Sequence, residues 1–239
     1  MRIAAAQFPS VLGGIEENVR SMTALVERAG EQGVRFVAFC ELSANGYLLD
    51  PIAAGPDAWL TEDDARLEPL REACRRTSTA ALIGCAAVTG GERPAIGALV
   101  IGPDGEPLAR YAKTHLCGPE QDVFAAGTAD GRFVLDGVRF AVAVCYDNRF
   151  PEVAERAAAD GCEVYVASSA LDAANDSFET VMPVRARDNG LHVLLANHVG
   201  GGDAGDCLGD SGVWGPDGAL LASAGRTAPG LVVWDLPTR

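Results

Sequence analysis

Of the 19 basic residues in this chain, 18 are arginine and one is lysine, Lys113. A sequence that uses arginine almost everywhere keeps lysine where a compact ammonium is needed and a planar guanidinium will not fit, unless the survivor is chance. Cys145 is a second candidate. It follows the apolar run 140–144 (FAVAV) and lies a few residues before Pro151, which suits the first turn of a helix. A sharp strand-to-helix turn exposes a nucleophile, places backbone N–H groups where an oxyanion can form, and favours thiolate near a helix N-terminus. The competing reading is a buried strand-end cysteine. A thiol acting at neutral pH needs a base or a cation beside it. His115, His192 and His198 lie in no motif-like context, which turns attention to a carboxylate. Glu41 closes the apolar run 35–41 (RFVAFCE), at the C-terminal end of a strand, where α/β proteins gather their active sites.

The elements that would hold these residues alternate along the whole chain, with no low-complexity linker, so residues 1–239 read as one domain. Residues 2–8 form an apolar strand. Ile15, Val19, Met22, Val26 and Ala29 recur at helical spacing, with Gly30 as a stop. The run 35–41 reads as a second buried strand, and a second helix begins near Pro69. Strands follow over 80–88 and 95–101, then a returning strand over 106–116 that carries Lys113. After a loop over 117–127, a hairpin turns at Asp136-Gly137 and leads into the strand before Cys145. A helix from Pro151 to about Gly161, a strand over 162–167, a helix over 178–189 and a strand over 192–197 come next. The tail, 209–225 (GDSGVWGPDGALLASAG) and then 231–236 (LVVWDL), reads as closing strands joined by the turn Pro216-Asp217-Gly218. Buried strands alternating with helices place the fold among layered α/β proteins.

Composition excludes several classes. Net charge is −14, which disfavours nucleic acid and anionic membranes as partners. No run approaches the roughly 20 apolar residues of a membrane span. No secretory pattern precedes the first strand, so a cytoplasmic protein with reduced thiols is expected. The seven cysteines contain no CxxC pair, and the chain has no HExxH, so no metal site is expected. Glycine-rich phosphate loops of the GxGxxG and GxxxxGK[ST] kinds are absent, against a nucleotide-binding α/β protein.

Taken together, Phe39-Cys40-Glu41-Leu42, Tyr111-Ala112-Lys113-Thr114-His115-Leu116 and Cys145-Tyr146-Asp147-Asn148-Arg149-Phe150-Pro151-Glu152 resemble the three signatures of the nitrilase, or carbon–nitrogen hydrolase, superfamily. Gln7, the stretch 185–189 (RARDN), Ala196-Asn197 and Gly209-Asp210-Ser211 fit in order, so the resemblance covers nearly the whole chain. It implies a four-layer α-β-β-α sandwich, usually dimeric and free of cofactors. Glu41 would be the general base, Cys145 the nucleophile that forms a thioester, and Lys113 the oxyanion donor together with the N–H that follows Cys145. Glu120 matches a second carboxylate that positions Lys113. Tyr47, Phe124, Tyr146, Arg149 and Ser169 are candidates for the substrate pocket. The Tyr146-Asp147 pair resembles amidase branches and not true nitrilases, which favour Trp-Glu there. A small amide is therefore the expected substrate, with N-carbamoyl amines or nitriles as alternatives and a catalytically silent binding subunit as the reading of another class. Cys40, where the family commonly has Pro, Cys117, where an aromatic is common, and the absence of Trp near Leu171 all fall around the expected pocket.

Overall fold

The computed structural model describes residues 1–226 and 228–237. Its elements run β1 (Arg2–Gln7), α1 (Ile15–Glu31), β2 (Phe36–Ala38), α2 (Leu49–Ala53), α3 (Glu68–Thr77), β3 (Ala80–Ala87), β4 (Ala95–Ile101), β5 (Pro107–Ala112) and α4 (Glu120–Val123). They continue with β6 (Gly131–Leu135), β7 (Val138–Val144), α5 (Pro151–Ala159), β8 (Val164–Ser169), α6 (Ser177–Thr180), α7 (Met182–Asn189) and β9 (His192–Asn197). The short pair β10 (Val199–Gly200) and β11 (Cys207–Leu208) precedes β12 (Gly212–Trp214), β13 (Leu220–Ser223) and β14 (Gly230–Asp235).

Two six-stranded sheets result, ordered β14-β1-β2-β3-β4-β5 and β13-β12-β9-β8-β7-β6. Each has three parallel strands at its centre, β1-β2-β3 and β7-β8-β9, flanked by antiparallel ones. The alternation of side chains along each strand sorts them into layers. Ile3, Ala5, Phe36 and Leu82 of one sheet meet Phe140, Val142, Val164 and Leu194 of the other in a shared apolar core. Their neighbours Ala4, Ala6, Val37 and Ile83 face outward, under α1 and α3. Ala141, Ala143, Tyr165 and Val193 likewise carry α5 and α7 through Val153, Ala157, Met182 and Ala186. This is the four-layer α-β-β-α sandwich, with strands buried on both faces and hence nearly continuous apolar runs.

Four boundaries depart from the sequence reading, each for a local reason. The strand expected over 35–41 ends at Ala38, because the chain then crosses over β3 with Leu42 at φ 50°. Gly84 permits that crossing: a Cβ there would lie 2.3 Å from the Cys40 carbonyl oxygen and 2.5 Å from the Leu42 nitrogen. Lys113 sits one residue past β5 instead of within it. The expected helix over 178–189 is two pieces that meet at Val181 (φ −112°, ψ −58°), and Pro183 removes a backbone donor just beyond that break. The loop expected over 117–127 contains the single turn α4, too short for apolar periodicity to reveal.

Candidate active site

The two sheets contribute opposite halves of the site. Glu41 and Lys113 follow β2 and β5 of one sheet, and Cys145 follows β7 of the other. Lys113 is held at its backbone, its N–H donating to the Ile96 carbonyl (2.9 Å) and its carbonyl accepting from Gly127 (2.8 Å). Its side chain is wholly buried, and Nζ donates to Glu41 Oε1 and Glu120 Oε1, both at 2.7 Å. An ammonium has three N–H donors, so one remains after these two bonds. Glu120 is fixed in turn: its Oε2 accepts from the Cys117 N–H at 2.7 Å, and its Oε1 accepts from the Tyr47 hydroxyl. The first residue of α4 is thus a buried carboxylate locked onto the lone lysine.

Glu41 is fully buried, and among the described residues its Oε2 has no hydrogen-bond partner within ordinary distance. Burial pushes its carboxyl up to about 7, against the opposing influence of Lys113, while Glu120 adds to the rise and the neighbouring Cys145 thiol pulls it down. A carboxylate poised there is suited to exchanging protons near neutral pH. Burial alone would lower the Lys113 pKa, but Glu41, Cys145 and Glu120 outweigh it and hold the ammonium charged.

Cys145 opens a 3-10 turn, Cys145–Arg149, with φ 47°, a conformation that costs a non-glycine residue about 1–3 kcal/mol. Neighbouring side chains hold it. Asn148 Nδ2 donates to the Cys145 carbonyl (2.8 Å), Asp147 Oδ2 accepts from Val144 N–H (3.0 Å), and Arg185 Nε donates to the Asn148 carbonyl (2.9 Å). The strand-to-helix placement agrees with the sequence, and the thiolate preference expected from the helix N-terminus meets opposing influences in the folded site. Burial, then the Glu41 charge, push the thiol well above its ordinary value, and Lys113 only partly opposes them. A thiol placed there must give up its proton as it reacts, and a base has to receive it.

The remaining pocket candidates divide. Tyr47 and Phe124 are buried around Glu120, Tyr47 through its hydroxyl and Phe124 at the end of α4. Tyr146 is partly exposed and packs edge-on against Phe150. Ser169 is fully buried and receives a 3.4 Å bond from Asn148. Arg149 is committed at the surface to Asp176 at 2.5 Å.

Sequence reasoning named no role for four further contributors. Ser168 Oγ donates to the Phe39 carbonyl (2.9 Å), tying β8 to the segment before Glu41. Asn197 brackets Leu171 by accepting from its N–H (2.8 Å) and donating to its carbonyl (3.1 Å), just past Ala170, whose carbonyl lies 4.0 Å from the Cys145 sulfur. Ser211 accepts from Asn197 N–H (3.0 Å) and donates its own N–H to Gln7 Oε1 (3.0 Å). His198, which the sequence left as a core-edge histidine, is completely buried beside the Cys40 sulfur at 3.6 Å. Burial takes its pKa down to about 4.

The family model described as carbon-nitrogen hydrolase matches residues 2–238. This chain belongs to that family. An (R)-stereoselective amidase of Pseudomonas sp is 33% identical over 162 residues, which are 67% of this carbon–nitrogen hydrolase and 58% of that protein's own length. The 2-oxoglutaramate amidase of Bacillus subtilis (strain 168) is 27% identical over 228 residues, covering 94% of this chain and 86% of that protein. Among solved structures, the amidase of Nesterenkonia AN1 superposes with a TM-score of 0.90 at 32% identity, over 99% of this chain and 92% of that chain. One variant of that amidase carries acrylamide added at its active site cysteine, and another is in complex with butyramide. These similarities place the chain in the amidase-like branch, among hydrolases of carbon–nitrogen bonds other than peptide bonds.

Proposed function

We propose that the protein hydrolyses a small, uncharged carboxylic amide to the acid and ammonia, with Glu41, Lys113 and Cys145 as catalytic residues and Glu120 in support. The observation that carries this reading is the buried lysine held between two carboxylates with one N–H left over, beside a cysteine whose proton needs an acceptor. Glu41 takes the thiol proton as sulfur attacks the carbonyl carbon, and the C=O electron pair moves onto oxygen. The third Lys113 N–H and the N–H of Tyr146 receive that oxyanion. As the carbonyl re-forms, the C–N bond breaks, the Glu41 proton goes to nitrogen, and ammonia leaves a thioester on Cys145. Glu41 then takes a proton from water as the water oxygen attacks the thioester, and cleavage of the C–S bond returns the thiol.

Charge supports an uncharged substrate. Two carboxylates and one ammonium leave the site net negative before substrate arrives, which opposes an anionic amide. The arginines that could reverse this are engaged elsewhere, Arg149 with Asp176 and Arg185 with the Asn148 and Arg149 carbonyls. Similarity to an amidase with a butyramide complex is consistent with a short aliphatic chain. We also propose a homodimer or higher homo-oligomer, as the family resemblance implies, and a cytoplasmic location; sedimentation would measure the former and fractionation the latter. Among the described residues no helix is long and apolar enough to cross a membrane. The test of the amide reading is kcat/KM for butyramide, butyronitrile and a carbamoyl amine in one buffer. The amide should lead, and a nitrile preferred by tenfold or more, about 1.4 kcal/mol in barrier, would reassign the substrate.

A further inference from the structure

The carboxylate of Asp147 is fully buried, and no step above uses it. Its Oδ2 accepts from the Val144 N–H (3.0 Å) and the Tyr111 hydroxyl (2.7 Å). Its Oδ1 accepts from the Thr114 hydroxyl (2.9 Å) and the His115 N–H (2.9 Å), and it meets His115 Nδ1 at 2.8 Å. These partners belong to two different structures. Val144 and Asp147 flank Cys145 on the sheet of β7, whereas Tyr111, Thr114 and His115 flank Lys113 at the end of β5 in the opposing sheet. The His115 ring also stacks on Phe150, beyond the nucleophile turn, at 3.7 Å and 14°.

We propose that Asp147 is a positioning residue, fixing the spacing between Cys145 and Lys113 by binding both of their chain segments with one carboxylate. This rests on the catalytic reading above and extends it to a residue that touches no reacting atom. A carboxylate suits the place because every bond it makes here is as an acceptor. An asparagine would have to turn its NH2 toward either the Val144 N–H or the His115 N–H, and neither backbone donor can reverse its role. Isosteric exchange therefore opens one side of the junction while leaving the volume unchanged.

The experiment compares the wild type with Asp147→Asn on whichever amide, carbamoyl amine or nitrile the wild type turns over best. A failed amide preference then shows in the wild-type panel, and a failed junction shows only in the variants. With rates normalised to folded protein, kcat should fall by about 10- to 100-fold, as expected when reacting groups shift by something near an ångström, and KM should change by less than about threefold. A second readout separates positioning from mere stability. Glu41 is faced by Lys113, Glu120, Cys145, Tyr47, Cys40 and Cys207, and Lys113 is the main group that opposes the upward push of burial, with a smaller contribution from Cys145. If the lysine segment shifts, the acid limb of kcat/KM should move to higher pH. Tyr111→Phe and Thr114→Val each delete one bond to Asp147, from opposite oxygens, together with the contact between the two hydroxyls (3.3 Å) and, for Thr114, the contact with His115 Nδ1 (2.9 Å), and should give smaller losses in the same direction. They decide the matter if Asp147→Asn does not fold. Unchanged kcat and an unmoved acid limb in the folded variants would overturn the proposal.

Discussion

Replacing Lys113 by methionine, and separately by arginine, tests whether the lone lysine is there for its shape as well as its charge. Methionine leaves Glu41 and Glu120 buried, both having lost a 2.7 Å partner. Breaking a buried ion pair by removing one member costs about 3–5 kcal/mol. For a chain of this size that is a fall in Tm of roughly 6–20 °C. The deficit should depend on pH in a defined direction. The Glu41 pKa is already above its unfolded value and rises further without Lys113, so the folded state loses stability as pH climbs beyond the unfolded carboxylate range near about 4.3. Thermal melts of Lys113→Met should therefore lie closer to wild type at pH 5 than at pH 8. Arginine keeps the charge but not the size, and its fork cannot satisfy two carboxylates on one nitrogen while aiming a further donor at an oxyanion. Steady-state ammonia release should fall about 10²–10³-fold in Lys113→Arg, the loss typical of one oxyanion donor. An arginine variant within threefold of wild type would refute the reasoning, whatever its Tm.

Other outcomes follow from the same geometry. Cys145→Ala should lower turnover by at least about a thousandfold, whereas Cys74→Ala, on the buried face of α3, should leave kcat largely intact; ammonia release from both proteins checks this. Because Glu41 must be ionised to accept the thiol proton and titrates at about 7, kcat/KM should climb about tenfold per pH unit on the acid side and level off above that value. A profile flat from pH 5 to 8 would remove Glu41 from the base role.

The alternating strands and helices could be read in the sequence from local pattern, whereas the four-layer arrangement and the grouping of Glu41, Lys113 and Cys145 came from the resemblance of three ordered motifs to a known family. Apolar runs mark the buried strands, and Pro151 marks the helix after the nucleophile. What escaped was long-range or conformational. The segment 39–41 reads as the continuing end of a strand because Phe39 and Cys40 extend the apolar run, yet it leaves the ladder to cross Gly84, a contact between positions more than 40 residues apart. Asp147 stood in plain view within a recognised motif, but its partners at 111, 114 and 115 come from another sheet, and no spacing rule connects them. The influences on the thiol differ in the same way. Helix proximity is visible in sequence, whereas burial beside a carboxylate is a property of the assembled site.

Gly84 also limits how such a chain can diverge. It bears no functional group, but a single methyl at that position would overlap backbone atoms on either side of Glu41, where there is no flexible side-chain end to yield. A variant with a larger residue at 84 keeps its glutamate, lysine and cysteine by every measure of sequence while moving the base off its line to the thiol. Motif matching alone would score that protein as an enzyme. The position therefore works as an inheritance constraint on descendants of this chain: a residue that takes no part in the chemistry is closed to any side chain, as Gly127 is against the Ala112 carbonyl beside Lys113. A descendant that broke the constraint would first have had to reroute residues 40–42.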